Sequence, residues 1–369
     1  MGKRLYVIAG EASGDLHGAN FIRALKQRAG ADGVQVRAWG GDRMQAAGAN
    51  VVKHYRELAF MGFTQVLLNL RTILRNIKAC EADILRFRPD AVVLVDYPGF
   101  NLRIARFAKA NGIRVFYYIS PQLWAWKAGR IKAIRRDVDR MFTILPFEQQ
   151  WYAQRGMQVD FVGHPLLDAL QQEDRAQGVA TAEDLRPVVA LLPGSRLQEI
   201  RRMLPAMAAV AKDFPDHRFV VAAAPSVPQE VYRAIIAGAP VEVVADRTYG
   251  LLRQAKAALV TSGTATLETA LIGTPEAVCY SGGAVNIWLA KRFINVPFIS
   301  LVNLIMGREV VRELIQRDMR PRALHKELHA LLNDEPYRAR MQADFKELQQ
   351  RLGGPGASAH VADQVWKSL

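Results

Sequence analysis

The chain has 369 residues, half of them apolar, and carries 49 Lys and Arg against 35 Asp and Glu, a formal net charge of +14. That length is long for one domain and comfortable for two, each with a sizeable core. Two cysteines, Cys80 and Cys279, exclude a disulfide framework, lack metal-ligand spacing and fit a reducing compartment.

The start of the chain runs straight into an apolar strand, with no signal-peptide pattern. No uninterrupted apolar run reaches the roughly 18 residues of a membrane span. A cytoplasmic protein is expected.

The first strand, Leu5–Ala9, ends in Gly10-Glu11-Ala12-Ser13-Gly14-Asp15. Small residues at a strand-to-helix joint let backbone N–H groups approach an anion. Here Glu11 and Asp15 bring negative charge, which suits hydroxyl recognition or N-capping by Ser13 or Asp15 better than direct phosphate binding. A helix over Gly18–Arg28 and a strand over Val36–Trp39 follow. Leu58–Ile77 reads as an amphipathic helix with a broad apolar stripe that includes Met61, Phe63, Val66, Leu67, Leu70 and Leu74, flanked by Arg71 and Arg75. Such a stripe packs in a core or lies in a membrane interface. The local charge favours the interface: residues 1–160 hold 25 Lys and Arg against 13 Asp and Glu, while residues 161–369 hold 24 against 22. Lys127, Arg130, Lys132, Arg135 and Arg136 add to the basic surface.

Ala91–Val95 is a continuous apolar run, as strands buried on both faces of a parallel sheet read. It ends in Asp96-Tyr97-Pro98-Gly99. In open α/β sheets ligands bind beyond the carboxyl ends of the strands, so Asp96 stands where a general base belongs. The plainer alternative is an aspartate bonded to its own turn. Asn101 is expected to cap the next helix, Leu102–Asn111, which Gly112 stops. Strands follow at Val115–Ile119, Met141–Leu145 and Asp160–Val162. Asp137-Val138-Asp139 mimics a metal motif but reads as paired surface charges, and the seven histidines are scattered. No metal site is expected. Polar Gln171–Arg186 reads as a linker.

The second half restarts the alternation: strands Val188–Leu192, Arg218–Ala224, Val241–Val244 and Ala257–Val260, helices Leu204–Asp213, Val227–Gly238 and Thr266–Gly273. The first strand runs into Pro193-Gly194-Ser195-Arg196, which fits neither a Walker A nor a G-x-G-x-x-G pattern. Arg196 is suited to grip a diphosphate bidentately, or to cap a carbonyl. Ser262-Gly263-Thr264 opens another helix, with Glu268 one turn inside. There a carboxylate can accept both hydroxyls of a ribose, or close a capping box. The tail, Tyr337–Leu369, is helical and interrupted at Gly353–Gly356. It packs back across the first domain or exchanges with a second chain as a homodimer. The pattern predicts an α/β fold of two doubly wound, Rossmann-like domains, 1–170 and 187–336, facing a central cleft, with a helical tail at 337–369.

GEASGDLHGA, ELAFMGF, VDYPGFN, YYISPQLWAWK, ILPFE, FVGHPLLD, LLPGSR, SGTATLE and WLAKRF…SLVNLIMGREVVRELIQ occur in this order. Together they resemble the lipid A disaccharide synthases, family 19 glycosyltransferases of the GT-B fold. The resemblance runs nearly the whole chain. It implies an inverting transfer from UDP-2,3-diacylglucosamine to 2,3-diacylglucosamine 1-phosphate (lipid X), giving a β-1,6 disaccharide 1-phosphate and UDP. It implies Asp96 as base, Arg196 as stabiliser of departing UDP, and Asn303 in donor binding or catalysis. Gly194, Ser195, Ser262, Gly263, Thr264 and Glu268 would line the donor site, and Gly10, Glu11, Ser13 and Asp15 the acceptor side. It further implies no cofactor, no nucleic acid partner, and peripheral attachment to anionic phospholipid on the cytoplasmic face of the inner membrane. Rival readings are a UDP-N-acetylglucosamine 2-epimerase, a transferase acting on a lipid-linked muramyl acceptor, and a basic nucleic-acid binder. The last leaves Asp96 without a purpose.

Overall fold

Runs of Val, Leu, Ile and Ala bounded by glycine or polar turns fold here as parallel strands with helices on both faces. A computed structural model describes residues 2–30, 33–57, 70–126, 128–174, 186–245, 247–282 and 296–369. The chain forms two compact units, Met1–Gln172 with Leu352–Leu369, and Glu173–Arg351.

In the first unit, strands β1 (Lys3–Ala9), β2 (Val34–Gly40), β3 (Asn50–His54), β4 (Ala91–Val95), β5 (Arg114–Tyr118), β6 (Arg140–Thr143) and β7 (Asp160–Phe161) form one sheet. Their order is β3-β2-β1-β4-β5-β6-β7, and every pairing is parallel. Alternation along β1 sends Leu5, Val7 and Ala9 to one face and Tyr6 and Ile8 to the other. The first face packs on Phe21, Ile22 and Leu25 of helix Ala12–Ala29 and on Val361, Ala362 and Val365 of helix Ala357–Ser368. The second is covered by Ile77, Cys80 and Ile84 of helix Leu70–Phe87 and by Phe100, Ile104, Ala105 and Ala108 of helix Pro98–Ala110.

The second unit repeats the plan with β8 (Val188–Leu192), β9 (Arg218–Ala223), β10 (Val241–Ala245), β11 (Ala255–Thr261), β12 (Glu276–Tyr280) and β13 (Arg312–Ile315). Their order is β10-β9-β8-β11-β12-β13. Both sheets reverse winding direction beside their first strand, between β1 and β4 and between β8 and β11. Ligand crevices open at such switch points, beyond the carboxyl ends of the strands.

Three strands lack a clear signal in the sequence. Asn50–His54 and Arg312–Ile315 are short edge strands with mixed polarity. Glu276–Tyr280 opens on a fully buried glutamate, which reads as polar. Helix Pro98–Ala110 begins three residues before Asn101, so Asn101 is inside the helix and does not cap it. Asp137 is paired with Arg136, as expected of it, but buried rather than on the surface. The tail expected as one piece is divided. Helix Glu335–Arg351 belongs to the second unit, and only residues from Leu352 onward return to the first unit of the same chain.

Candidate functional site

In the first unit the switch point lies between the ends of β1 and β4, where Ala9 pairs with Val95. The Gly10–Asp15 loop and Asp96 therefore emerge side by side. Asp96 and Tyr97 both hold left-handed backbone conformations, with φ of 46° and 50°. Such strain in consecutive non-glycine residues persists only where the surroundings over-determine it, and it gathers at functional sites. The surroundings do so here. The Asp96 amide donates to the Tyr118 carbonyl at 2.9 Å. Its own carbonyl accepts from Tyr117 Oη at 2.6 Å and from Asn101 Nδ2 at 2.7 Å. Asn101 Nδ2 also reaches the Val95 carbonyl at 3.2 Å. The main chain is pinned by three partners, and the carboxylate is left to face its surroundings. Burial and, after it, the nearby Glu11 carboxylate raise the Asp96 pKa to about 6 against the opposing effect of the Tyr97 amide.

Gly10 has a steric reason to be glycine. A Cβ there would sit 2.3 Å from the Tyr97 ring, which stacks on Phe100 at 5.7 Å. Glu11, just before helix Ala12–Ala29, and Ser13, in its first turn, are exposed. Asp15 is not: its carboxylate is buried and accepts from the amides of Gly41 at 2.7 Å and of Arg43 and Met44 at 3.1 Å. It holds the start of helix Asp42–Ala46 and has little capacity left for an acceptor sugar.

In the second unit β8 and β11 pair so that Leu192 lies beside Val260. The Gly194–Arg196 and Ser262–Thr264 loops therefore share one edge. Gly194 needs its φ of 109°, and a Cβ there would meet the Glu199 carboxylate. Glu199 accepts from the amides of Ser195 and Arg196, each at 3.3 Å, and from Arg196 Nη1 at 3.2 Å. The Ser195 carbonyl accepts from Ser226 Oγ at 2.9 Å, tying the ends of β8 and β9 together. Arg196 is largely exposed, its guanidinium free to swing away from so weak a surface pair. Ser262 Oγ donates to the Ile299 carbonyl at 3.0 Å, and Gly263 and Thr264 are exposed at the start of helix Thr264–Ile272. Glu268 is half-buried in that helix and accepts from Tyr249 Oη at 2.9 Å. Neither Thr264 nor Thr266 closes a capping box with it; the Thr266 hydroxyl donates to the Gly263 carbonyl.

Asn303 stands within the scaffold, at the start of helix Leu301–Met306. It is fully buried, its Oδ1 accepts from the amides of Val310 and Val311, and its Nδ2 donates to the Val311 carbonyl and to Glu313. Every hydrogen-bonding capacity of the amide is spent on the scaffold. Glu313 in turn accepts from the amides of Ile299 and Ser300, so the pair clamps the segment that receives the Ser262 hydroxyl.

Of the stripe expected to face a membrane, Met61, Phe63, Val66 and Leu67 lie outside the described residues, and Leu70 only begins helix Leu70–Phe87. Along that helix Ile77 and Ile84 are buried, whereas Leu74 is 45% exposed and Leu85 48%, with Arg71 and Arg75 exposed beside Leu74. Among the described residues no helix is long and apolar enough to cross a membrane. Nor does any group of three or more His, Cys, Asp or Glu among them converge as metal ligands.

The sequence reading passed over Glu148, in the ILPFE run. Its carboxylate is buried, accepts from the amides of Leu145 at 3.1 Å and Ile144 at 3.3 Å, and is pushed by burial up to about 7. Three residues after an Leu-Pro helix start, a glutamate is a common cap, which is why it did not stand out.

A model of the lipid-A-disaccharide synthetase family matches residues 5–361. A lipid-A-disaccharide synthase of Syntrophus aciditrophicus is 40% identical over 371 residues, spanning 98% of this chain and 96% of the relative. One from Myxococcus xanthus is 38% identical over 99% of this chain and 97% of its own. Among solved structures, the kitacinnamycin glycotransferase superposes with a TM-score of 0.71 at 15% identity, each chain covered completely. The UDP-GlcNAc 2-epimerase of Neisseria meningitidis, solved with UDP-GlcNAc, gives 0.68 at 14% identity over 99% of this chain and all of its own. At such identities the structural likeness speaks for the fold alone: α/β, GT-B, with two Rossmann-like domains.

Proposed function

The chain belongs to the lipid-A-disaccharide synthetase family, glycosyltransferases of lipid A biosynthesis, and on that premise we propose that it is an inverting transferase joining UDP-2,3-diacylglucosamine to 2,3-diacylglucosamine 1-phosphate. The products are the β-1,6-linked disaccharide 1-phosphate and UDP. The observation that carries this reading is Asp96: a half-buried carboxylate in a strained backbone at a sheet switch point, with a pKa raised to about 6.

Inversion needs one base and a stabilised leaving group. Asp96 takes the proton from the acceptor 6-hydroxyl as that oxygen attacks the anomeric carbon from the face opposite UDP. A pKa near 6 leaves the carboxylate mostly ionised at neutral pH while keeping it a stronger base than an ordinary aspartate. Arg196 swings from Glu199 to the departing diphosphate, and the backbone amides of Ser195 and Thr264 support it. Preorganised positive groups do here what a divalent cation does in other transferases. Glu268 receives the ribose hydroxyls beside Tyr249, and Asn303 positions the donor loop through Glu313. Glu11 acts on the acceptor side by tuning Asp96, and Ser13 by offering its exposed hydroxyl. The basic first unit and the exposed leucines of helix Leu70–Phe87 attach the enzyme to anionic phospholipid at the cytoplasmic face of the inner membrane.

The test is incubation of the purified protein with both lipids in detergent and EDTA, following UDP and disaccharide by mass spectrometry. Equal amounts of the two support the whole reading, metal independence included. UDP with free sugar means that the acceptor is wrong. Binding of UDP without turnover redirects the search to the epimerase and muramyl-lipid readings.

A further inference from the structure

The second unit carries a concentrated positive surface that the transferase reaction does not use. Beyond β13 the chain turns through Gln316–Asp318 into helix Pro321–Asn333. An open cavity of about 770 Å³ lies against this turn and helix, within the size range of small-ligand sites. Arg317, Arg320, Arg322 and Lys326 line it, together with His325 and His329. No residue of the Gly194–Arg196 or Ser262–Glu268 segments does so.

Two features set this cavity apart from an ordinary solvated charge run. The first is that its cations outnumber the acids near them, Asp318 in the lining and Glu327 beside Lys326, and none is held in a close ion pair. Among the described residues Arg317, Arg320, Arg322 and Lys326 form no ion pair, although the second half of the chain is close to charge balance. The lining holds one carboxylate, Asp318. Glu327, the other acid of this stretch, is half-buried and accepts from Tyr337 Oη at 2.7 Å. Four permanent cations around one concavity repel one another unless an anion joins them. The second feature is a ring platform. His325 lies 4.9 Å from Phe214, and His329 stacks on His325 at 6.3 Å. The platform fixes one wall with flat, hydrogen-bonding side chains, while the flexible cations form the other.

We propose that this cavity is a second anion site, taking a ligand that bears a phosphate monoester or diphosphate group. Guanidinium forks match phosphate oxygens bidentately, and three of them can satisfy a dianion from different sides. The same chemistry is offered by a free phosphorylated metabolite and by an anionic lipid headgroup. The second source would give this unit its own hold on a membrane surface, independent of the first unit.

The test is titration of the full-length protein with inorganic pyrophosphate by calorimetry, with Arg196→Ala and Arg317→Ala/Arg320→Ala/Arg322→Ala variants in parallel. The three arginines are exposed, so the fold is expected to survive, and circular dichroism checks this. Lys326→Glu is the single-residue alternative if it does not. The site predicts that Arg196→Ala keeps one class of binding that the triple variant loses by about tenfold or more. Co-sedimentation with phosphatidylglycerol and phosphatidylcholine vesicles then separates the sources. Weaker binding of the triple variant to the anionic vesicles alone assigns a lipid headgroup, and unchanged vesicle binding with lost pyrophosphate binding assigns a soluble ligand. Pyrophosphate and vesicle binding identical in wild type and the triple variant overturns the proposal, whatever Arg196→Ala does. Transfer between detergent-dispersed substrates should stay at the wild-type rate in the triple variant, so failure here is separable from failure of the transferase reading.

Discussion

At the scale of one residue, Asp96 joins strain, burial and charge. Its pKa is raised, so the sign of its effect on stability is fixed. The carboxyl group favours folding below its unfolded pKa, near the ordinary 3.8, and that contribution is lost as pH rises through about 6. Above this window the wild type carries a cost of about 1–3 kcal/mol. Asparagine keeps the shape and tolerates the left-handed backbone. Asp96→Asn is therefore expected to abolish turnover yet raise the melting temperature at pH 7–8, with the gain vanishing near pH 4. A residual rate within a few-fold of wild type would remove Asp96 as the base. Because Glu11 adds to the shift, Glu11→Gln should move the acidic limb of the rate profile below its wild-type position near pH 6. An unmoved limb would mean that the two carboxylates do not communicate.

Single elements here often serve two surfaces. Helix Leu70–Phe87 inserts Ile77, Cys80 and Ile84 into the core of the first unit and leaves Leu74 and Leu85 in solvent beside Arg71, Arg75 and Arg86. One face of this element is core, and the other presents leucines and arginines to solvent. The faces are expected to separate on mutation. Ile84→Ala, at a site with no exposure, should cost about 2–5 kcal/mol in denaturant unfolding. Leu74→Gln with Leu85→Gln should stay within about 0.5 kcal/mol per site and weaken vesicle binding. A large stability loss from the leucine pair would mean that they pack inside the protein.

For the whole molecule the decisive feature is the return of the last residues to the first unit. Helix Ala357–Ser368 packs on helix Ala12–Ala29, with Arg28 bonded to Asp363 at 3.1 Å and Lys3 to the Leu369 carbonyl at 2.7 Å. Buried Asp168 receives the amides of Gly356 and Ser358 at its start. The first unit is therefore built from two stretches of the chain that are distant in sequence, residues 1–172 and 352–369. Asp168→Ala leaves the buried Ser358 amide unpaired and removes the partner of the more exposed Gly356 amide, at a cost of about 1–3 kcal/mol. Faster amide exchange in residues 357–368 than in the rest of the first unit would be the signature. Uniform exchange across both units would show that the clasp is not local.

Local patterning determined much of this molecule. The buried strands Leu5–Ala9, Ala91–Val95 and Val188–Leu192, and the small-residue loops that follow them, are legible because a strand covered on both faces must be apolar throughout and a tight joint must be small. Asp96 and Arg196 stand out for the same reason, as charges placed at the ends of such strands. What tertiary structure alone decided is which polar groups are already satisfied. Asp15 and Asn303 share the appearance of ligand-binding residues, but backbone groups brought to them by the fold occupy most or all of their capacity, the amides of Gly41, Arg43 and Met44 in one case and of Val310 and Val311 in the other. Glu148 and Glu276 look like surface acids and are buried. Hydrogen-bond satisfaction and desolvation depend on neighbours brought together by the fold, and no spacing along the chain encodes them.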